Sequence, residues 1–157
     1  MAKAKRTIIL LGPLKARGGI SATVNSVLSQ DISAKYRFKL LNTSVFLDAG
    51  LFAEIATVIP AFFKYLMLLL FTRPSIVHIH TSVGVSFYRK SRFGLLGRLF
   101  GRKAVYHIHS GRFYQFFCNP RSKLLEKYIK FIFKSARAVV CLCPDWEERL
   151  KQKYGLD

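Results

Sequence analysis

Val77-His78-Ile79-His80-Thr81-Ser82 and Tyr106-His107-Ile108-His109-Ser110-Gly111 are near-duplicates in one chain. Each is a short apolar run that stops abruptly in small polar residues. Such runs read as strands buried on both faces, the habit of a parallel sheet, with their carboxyl ends open to a loop. In open α/β sheets, ligands bind in the crevice outside the carboxyl ends of the strands. The histidines that close these two strands therefore mark a candidate site as well as a core.

The same pattern extends in both directions. Thr7 to Leu11 reads as a first strand, followed by the glycine-bearing loop Gly12-Pro13-Leu14-Lys15-Ala16-Arg17-Gly18-Gly19. Ile20 to Leu28 has helical spacing, with Ile20, Val24, Val27 and Leu28 on one face. Tyr36 to Leu41 is a second strand that ends in Asn42-Thr43-Ser44. A long apolar helix, Leu51 to Phe71, stops before Pro74, because proline disfavours helical backbone in the residue before it. Ser75 to Ile79 and Lys103 to Ile108 are the third and fourth strands. They flank an arginine-rich helix, Ser86 to Phe100, closed by Gly101. Arg121 to Ser135 is a helix, Arg137 to Leu142 a fifth strand, and Asp145 caps a last helix running to about Tyr154. Strict alternation of strand and helix predicts an α/β fold: a Rossmann-like, doubly wound parallel sheet with helices on both faces.

A chain of 157 residues makes one domain and can bury a real core. With 51% hydrophobic residues it is not disordered. Its 26 Lys and Arg against 8 Asp and Glu give a net charge of +18, which calls for an anionic partner. No acidic residue lies between Glu54 and Glu126. Three cysteines, Cys118, Cys141 and Cys143, make no disulfide framework and suit a reducing cytoplasm. Cys141 and Cys143 are expected on one face of the fifth strand, as small buried hydrophobes. The segment Leu51 to Phe71 has the length of a spanning helix but is interrupted by Glu54, Pro60 and Lys64. A partly buried amphipathic helix, or one lying on a membrane face, is the preferred reading.

Four places can carry chemistry. The first is the loop through Arg17, Gly18 and Gly19, where backbone N–H groups and a helix dipole can meet a phosphate or sugar. The same loop also reads as a plain tight turn. The second is His109-Ser110-Gly111-Arg112. His109 stands nearest the crevice and can bind a sugar hydroxyl or act as acid or base. Ser110 and Gly111 expose backbone donors, and Arg112 can pair with a phosphate. The third is His78-Ile79-His80, beside which Thr81 and Ser82 are expected to cap the next helix. No metal is expected there, because these loops carry no carboxylate or cysteine. The fourth is a stripe of Lys123, Lys127, Lys130 and Lys134 at helical spacing, read as a membrane-facing surface. Arg89, Lys90, Arg92 and Arg98 form a second basic patch. Asp145, Glu147 and Glu148 open the last helix and read as capping groups.

Four motifs, in order, resemble the amino-terminal domain of family 4 glycosyltransferases, retaining enzymes of the GT-B fold. They are Ile9-Leu10-Leu11-Gly12-Pro13 with Gly18-Gly19-Ile20, the two histidine-bearing strand ends, and Ala138 to Cys143 before Asp145-Trp146. The resemblance covers about Thr7 to Tyr154. It implies half of a GT-B fold, an acceptor-side domain that transfers sugar from a nucleotide sugar without an essential metal. Gly18 and Gly19 then lie near the donor phosphate and the acceptor, and His109 contacts the donor sugar. The resemblance also implies a lipid-linked or saccharide acceptor and a peripheral position at the inner face of the cell membrane. The family's donor-binding domain, with its paired glutamates, is not among these residues. The expectation is a fragment, inactive alone, that needs a separate carboxy-terminal half.

Two other functions compete. One is a non-catalytic membrane-docking subunit that recruits a donor-binding partner. The other is a nucleic-acid binder; only the charge suggests it, no recognition motif supports it, and no nucleic-acid partner is expected.

Overall fold

The computed structural model describes residues 5–13, 19–29, 35–43 and 51–156. Five strands form an all-parallel sheet in the order β2-β1-β3-β4-β5: β1 Arg6–Gly12, β2 Tyr36–Asn42, β3 Ile76–Thr81, β4 Lys103–Ile108 and β5 Ala138–Val140. The helices are α1 Gly19–Ser29, α2 Leu51–Thr72, α3 Val85–Leu99, α4 Lys123–Ser135 and α5 Pro144–Tyr154. This is the expected Rossmann-like α/β fold. The chain divides into two compact units, Met1–His78 and Ile79–Asp157.

In the first unit, β1 and β2 pair in parallel from Arg6 opposite Tyr36 to Gly12 opposite Asn42. Ile9, Leu10 and Leu11 are fully buried, as a strand covered on both faces requires. Helix α1 buries Ser21 and Val24, and the Ser21 hydroxyl donates to the Pro13 carbonyl at 2.7 Å. Helix α2 packs on β2 through one narrow line, Ala61, Tyr65 and Leu69, at a spacing of four. It runs unbroken through Pro60, so this proline does not end the helix. Beside that line it exposes large apolar side chains, with Phe63 61% and Phe71 80% exposed, next to the exposed Lys64.

In the second unit, β4 pairs with the short β5, Val105 opposite Ala138 to His107 opposite Val140. Phe87 centres an aromatic core, in edge contact with Phe116, Phe117, Tyr128 and Phe133 at 5.2–6.1 Å. Such pairs are worth about 0.5–1.5 kcal/mol each beyond burial. Tyr106 packs directly on Gly94 of α3, where an added Cβ would collide with the Tyr106 hydroxyl. Ser122 caps α4, its Oγ accepting from Leu125 N at 3.2 Å. A single π-helical turn, Tyr114–Cys118, unforeseen in the sequence, follows β4.

Three local expectations are corrected. The cap of α5 is Cys143, not Asp145, with Pro144 in the first turn; Asp145 and Glu147 complement the dipole from inside that turn. Strand β5 ends at Val140, so Cys141 and Cys143 lie past it and not on its face. Helix α3 begins after Gly84 (φ 62°) with no side-chain cap, so neither Thr81 nor Ser82 caps it.

Candidate functional site

The carboxyl ends of β3 and β4 are locked together. His109 N donates to Thr81 O at 2.7 Å, which continues the ladder one residue past β4. Alternation along each strand sends His80 to the face opposite Ile79, and His107 and His109 to the face opposite Ile108. The buried Ile79 and Ile108 anchor the strands in the core. The imidazoles thereby meet on one side. His80 Nδ1 stands 3.0 Å from His109 Nε2, with the two rings stacked at 22° and their centroids 5.2 Å apart. His107 joins them, 5.0 Å from His80 and 4.1 Å from His109 between centroids. Burial pushes the His107 imidazolium pKa down, favouring the neutral ring.

His80 is thus the direct partner of His109. It is fully buried. Its carbonyl accepts from Lys90 Nζ at 2.7 Å. Lys90 was expected on an exposed basic patch, yet it is only 3% exposed. Burial, with a smaller contribution from the adjacent Arg89, lowers its pKa to about 8. Arg92 and Arg98 do reach solvent, and Arg98 donates to the Ser135 carbonyl.

Beyond His109 the chain opens to solvent. Ser110 is half-buried, and Gly111 and Arg112 are exposed. Ser110 Oγ accepts from Arg112 N at 3.1 Å, a local turn that holds this loop. A side chain at Gly111 would meet nothing within 4 Å, so there is open space beside the backbone. Gly19 opens α1 and is likewise unobstructed. Arg17 and Gly18 lie outside the described residues.

The acidic cluster is engaged in local pairs. Tyr114 donates to Asp145, and Arg149 Nε binds the same carboxylate at 3.0 Å while lying over the Tyr114 ring. The hydrogen bond from Tyr114, with help from Arg149, holds the Asp145 carboxyl below its usual range. Glu147 pairs with Lys151 at 2.7 Å, and Glu148 accepts from Gln152 at 3.1 Å. The three cysteines are free. Burial pushes the Cys141 thiol up to about 11, with Glu147 and the neighbouring cysteines adding to the rise, so it is an inert thiol at neutral pH. A cavity of about 510 Å³ lies elsewhere, beside β5 and α5, lined by Arg137, Val139, Cys141 and Leu150 among others.

On α4, Ile129, Ile132 and Phe133 are buried, while Lys123, Lys127, Lys130 and Lys134 are all exposed. Beside the lysines stand Leu124 and Phe131, 79% and 58% exposed. The sequence marked the charge of this face but not its apolar members.

A parallel α/β sheet with polar side chains gathered at its strand ends is of the Rossmann-like class, whose ligand sites lie at such ends. Residues 28–157 match the family described as Glycosyltransferase Family 4, and the chain belongs to that family as an amino-terminal-type domain. No curated protein matches it by sequence. Among solved structures, a conserved protein from Enterococcus faecalis V583 aligns over 96% of this chain and 99% of its own, at 14% identity and a TM-score of 0.52, a likeness of fold alone. TesA aligns over 96% of this chain and 71% of its own, at 14% identity and a TM-score of 0.40, too low to carry an argument.

Proposed function

We propose that the chain is the acceptor-side domain of a glycosyltransferase that works at the cytoplasmic face of a membrane. It transfers sugar from a nucleotide sugar to a membrane-associated or polysaccharide acceptor. The observation that carries this reading is the family match over residues 28–157, together with His109 at the open carboxyl end of β4.

In the reaction, the anomeric carbon–oxygen bond to the nucleotide diphosphate breaks and a bond to the acceptor oxygen forms. The acceptor's proton leaves with the diphosphate. His109 binds a hydroxyl of the transferring sugar, and His80 fixes its orientation through the 3.0 Å contact. Ser110, Gly111 and Arg112 line the open edge, where backbone donors and one guanidinium suit a phosphate or a sugar. Gly18, Gly19 and Arg17 belong to the same substrate-binding set. The donor's nucleotide is held by a separate donor-binding half.

Two features support membrane docking. Helix α2 keeps a broad apolar surface outside its buried line, and by length and composition its Ile55–Thr72 segment could cross a membrane. Its burial at Ala61, Tyr65 and Leu69 favours a helix that packs on its own unit and rests on the lipid surface. Helix α4 pairs exposed lysines with exposed Leu124 and Phe131, the combination that binds anionic lipid.

Flotation of the chain with anionic and neutral vesicles, against retention on DNA at equal salt, tests the docking. Binding to anionic vesicles alone is expected. DNA retention with no flotation would replace the membrane by nucleic acid as the anionic partner. Transfer itself is tested by labelled sugar incorporation in cells that carry or lack the gene.

A further inference from the structure

His80, His107 and His109 form a closed triangle of imidazoles, with centroids 5.0, 5.2 and 4.1 Å apart. His80 Nδ1 and His109 Nε2 are 3.0 Å apart, and ring nitrogens of His80 and His107 lie within 4.8 Å. Zinc–nitrogen bonds are about 2.0–2.1 Å, so two nitrogens on one ion stand at most about 4 Å apart. The first pair already has that spacing, and His107 stands beside it, with a ring nitrogen within 4.8 Å of His80. The backbone beneath is fixed at both ends of the contact, by His109 N on Thr81 O and by Lys90 on the His80 carbonyl, each at 2.7 Å. Strand alternation sets His78 on the same face of β3, two residues before His80.

The absence of a carboxylate from these strand ends argued against a metal in the sequence. It does not exclude a site made only of imidazoles, since three neutral histidines suffice for a tetrahedral ion with one open position. Such a ligand set rejects magnesium and calcium, which need oxygen donors, and selects the cobalt-to-zinc end of the series.

We propose that His80, His107 and His109 form a binding site for a divalent transition-metal ion of the cobalt, nickel and zinc type. The site shares His80 and His109 with the sugar-binding edge proposed above, and its test reads metal binding and not transfer. The fourth position of the ion is left for water or an anion.

The test is titration of the metal-stripped full chain with Co²⁺, followed by visible absorption, with Zn²⁺ and Mg²⁺ as competitors. The expected result is one Co²⁺ per chain with visible bands of four- or five-coordinate nitrogen ligation, displaced by Zn²⁺ and not by Mg²⁺. His107→Gln and His80→Ala should each weaken binding by more than the roughly 100-fold that loss of an outer-shell partner causes. If His80→Ala unfolds, as circular dichroism would reveal, the half-buried His107→Gln decides. Cys118, Cys141 and Cys143 supply the internal control. No bands, unchanged affinity in His107→Gln, or an intense thiolate-to-cobalt band lost when the three cysteines become serine would each overturn the proposal.

Discussion

His80 Nδ1 and His109 Nε2 face each other at 3.0 Å across the ends of β3 and β4. In the neutral pair one of these nitrogens donates and the other accepts, so the tautomer of one ring dictates that of the other. In the proposed function, His109 meets the sugar with a tautomer and orientation that His80 imposes. A double-mutant cycle measures this coupling. His80→Ala and His109→Ala should each lower gene-dependent transfer, and the double variant should lose no more than the worse single. Strictly additive losses would show that the two rings act independently.

On the proposed docking surface, the α4 lysines serve lipid binding and not the fold. Lys123, Lys127, Lys130 and Lys134 are exposed, and each contributes about 1 kcal/mol near an anionic surface. Replacing all four by glutamine should weaken partition onto anionic vesicles on the order of 1000-fold, with no change in melting temperature. The effect should shrink as salt rises, because these charges are exposed to screening. Equal flotation of the variant would remove α4 from the docking surface.

Gly94→Ala tests the packing of α3 on β4. Its new Cβ would collide with the Tyr106 hydroxyl and stand 2.8 Å from both Tyr106 Cζ and Ile79 Cδ1. Both neighbours are buried and cannot withdraw cheaply. Overpacking of this kind costs about 1–3 kcal/mol or more. Thermal melting should show a drop of several degrees, whereas an unchanged melting temperature would mean that α3 can shift away from the sheet.

Tyr154 ties the last helix to the π-helical turn, its hydroxyl donating to the Phe117 carbonyl at 2.5 Å. Tyr154→Phe leaves that buried carbonyl without this donor and should cost about 1–3 kcal/mol. Burial raises the Tyr154 pKa above its ordinary 10.0, with Glu126 and Cys118 adding to the rise. Above pH 10 the unfolded tyrosine therefore loses its proton while the folded one keeps it, and stability falls with rising pH. Denaturant melts between pH 8 and 11 should show a shallower alkaline decline in the variant, since part of that linkage is gone.

The strands were legible because buried parallel strands need continuous apolar runs. β4 matches its predicted bounds, and β1, β2 and β3 differ by one or two residues. What the sequence hid depends on neighbours far along the chain. The π-helical turn Tyr114–Cys118, with Tyr114, Phe116 and Phe117 in five residues, has no 3.6-residue rhythm to reveal it. Lys90 looked like one more surface cation, because sequence does not tell which lysine will find the His80 carbonyl beneath a helix. The two histidine pairs were visible as a repeated motif, but their contact requires that β3 and β4 be adjacent and in register. Pattern within either strand cannot supply that. Asp145 fits an N-cap by residue type, yet Tyr114 and Arg149 engage its carboxylate while Cys143 occupies the cap position.

The central claim is that this domain performs sugar transfer through the His109 end of the sheet. The most direct measurement is incorporation of label from a panel of nucleotide sugars into the membrane fraction of the native cell. Cells would lack the gene, or carry it as wild type or as His109→Ala at equal protein level. The account predicts that incorporation from one donor disappears with the gene, returns with wild type, and returns at least about 100-fold more weakly with the variant. Incorporation from every donor that ignores the gene, or full rescue by His109→Ala, would contradict it.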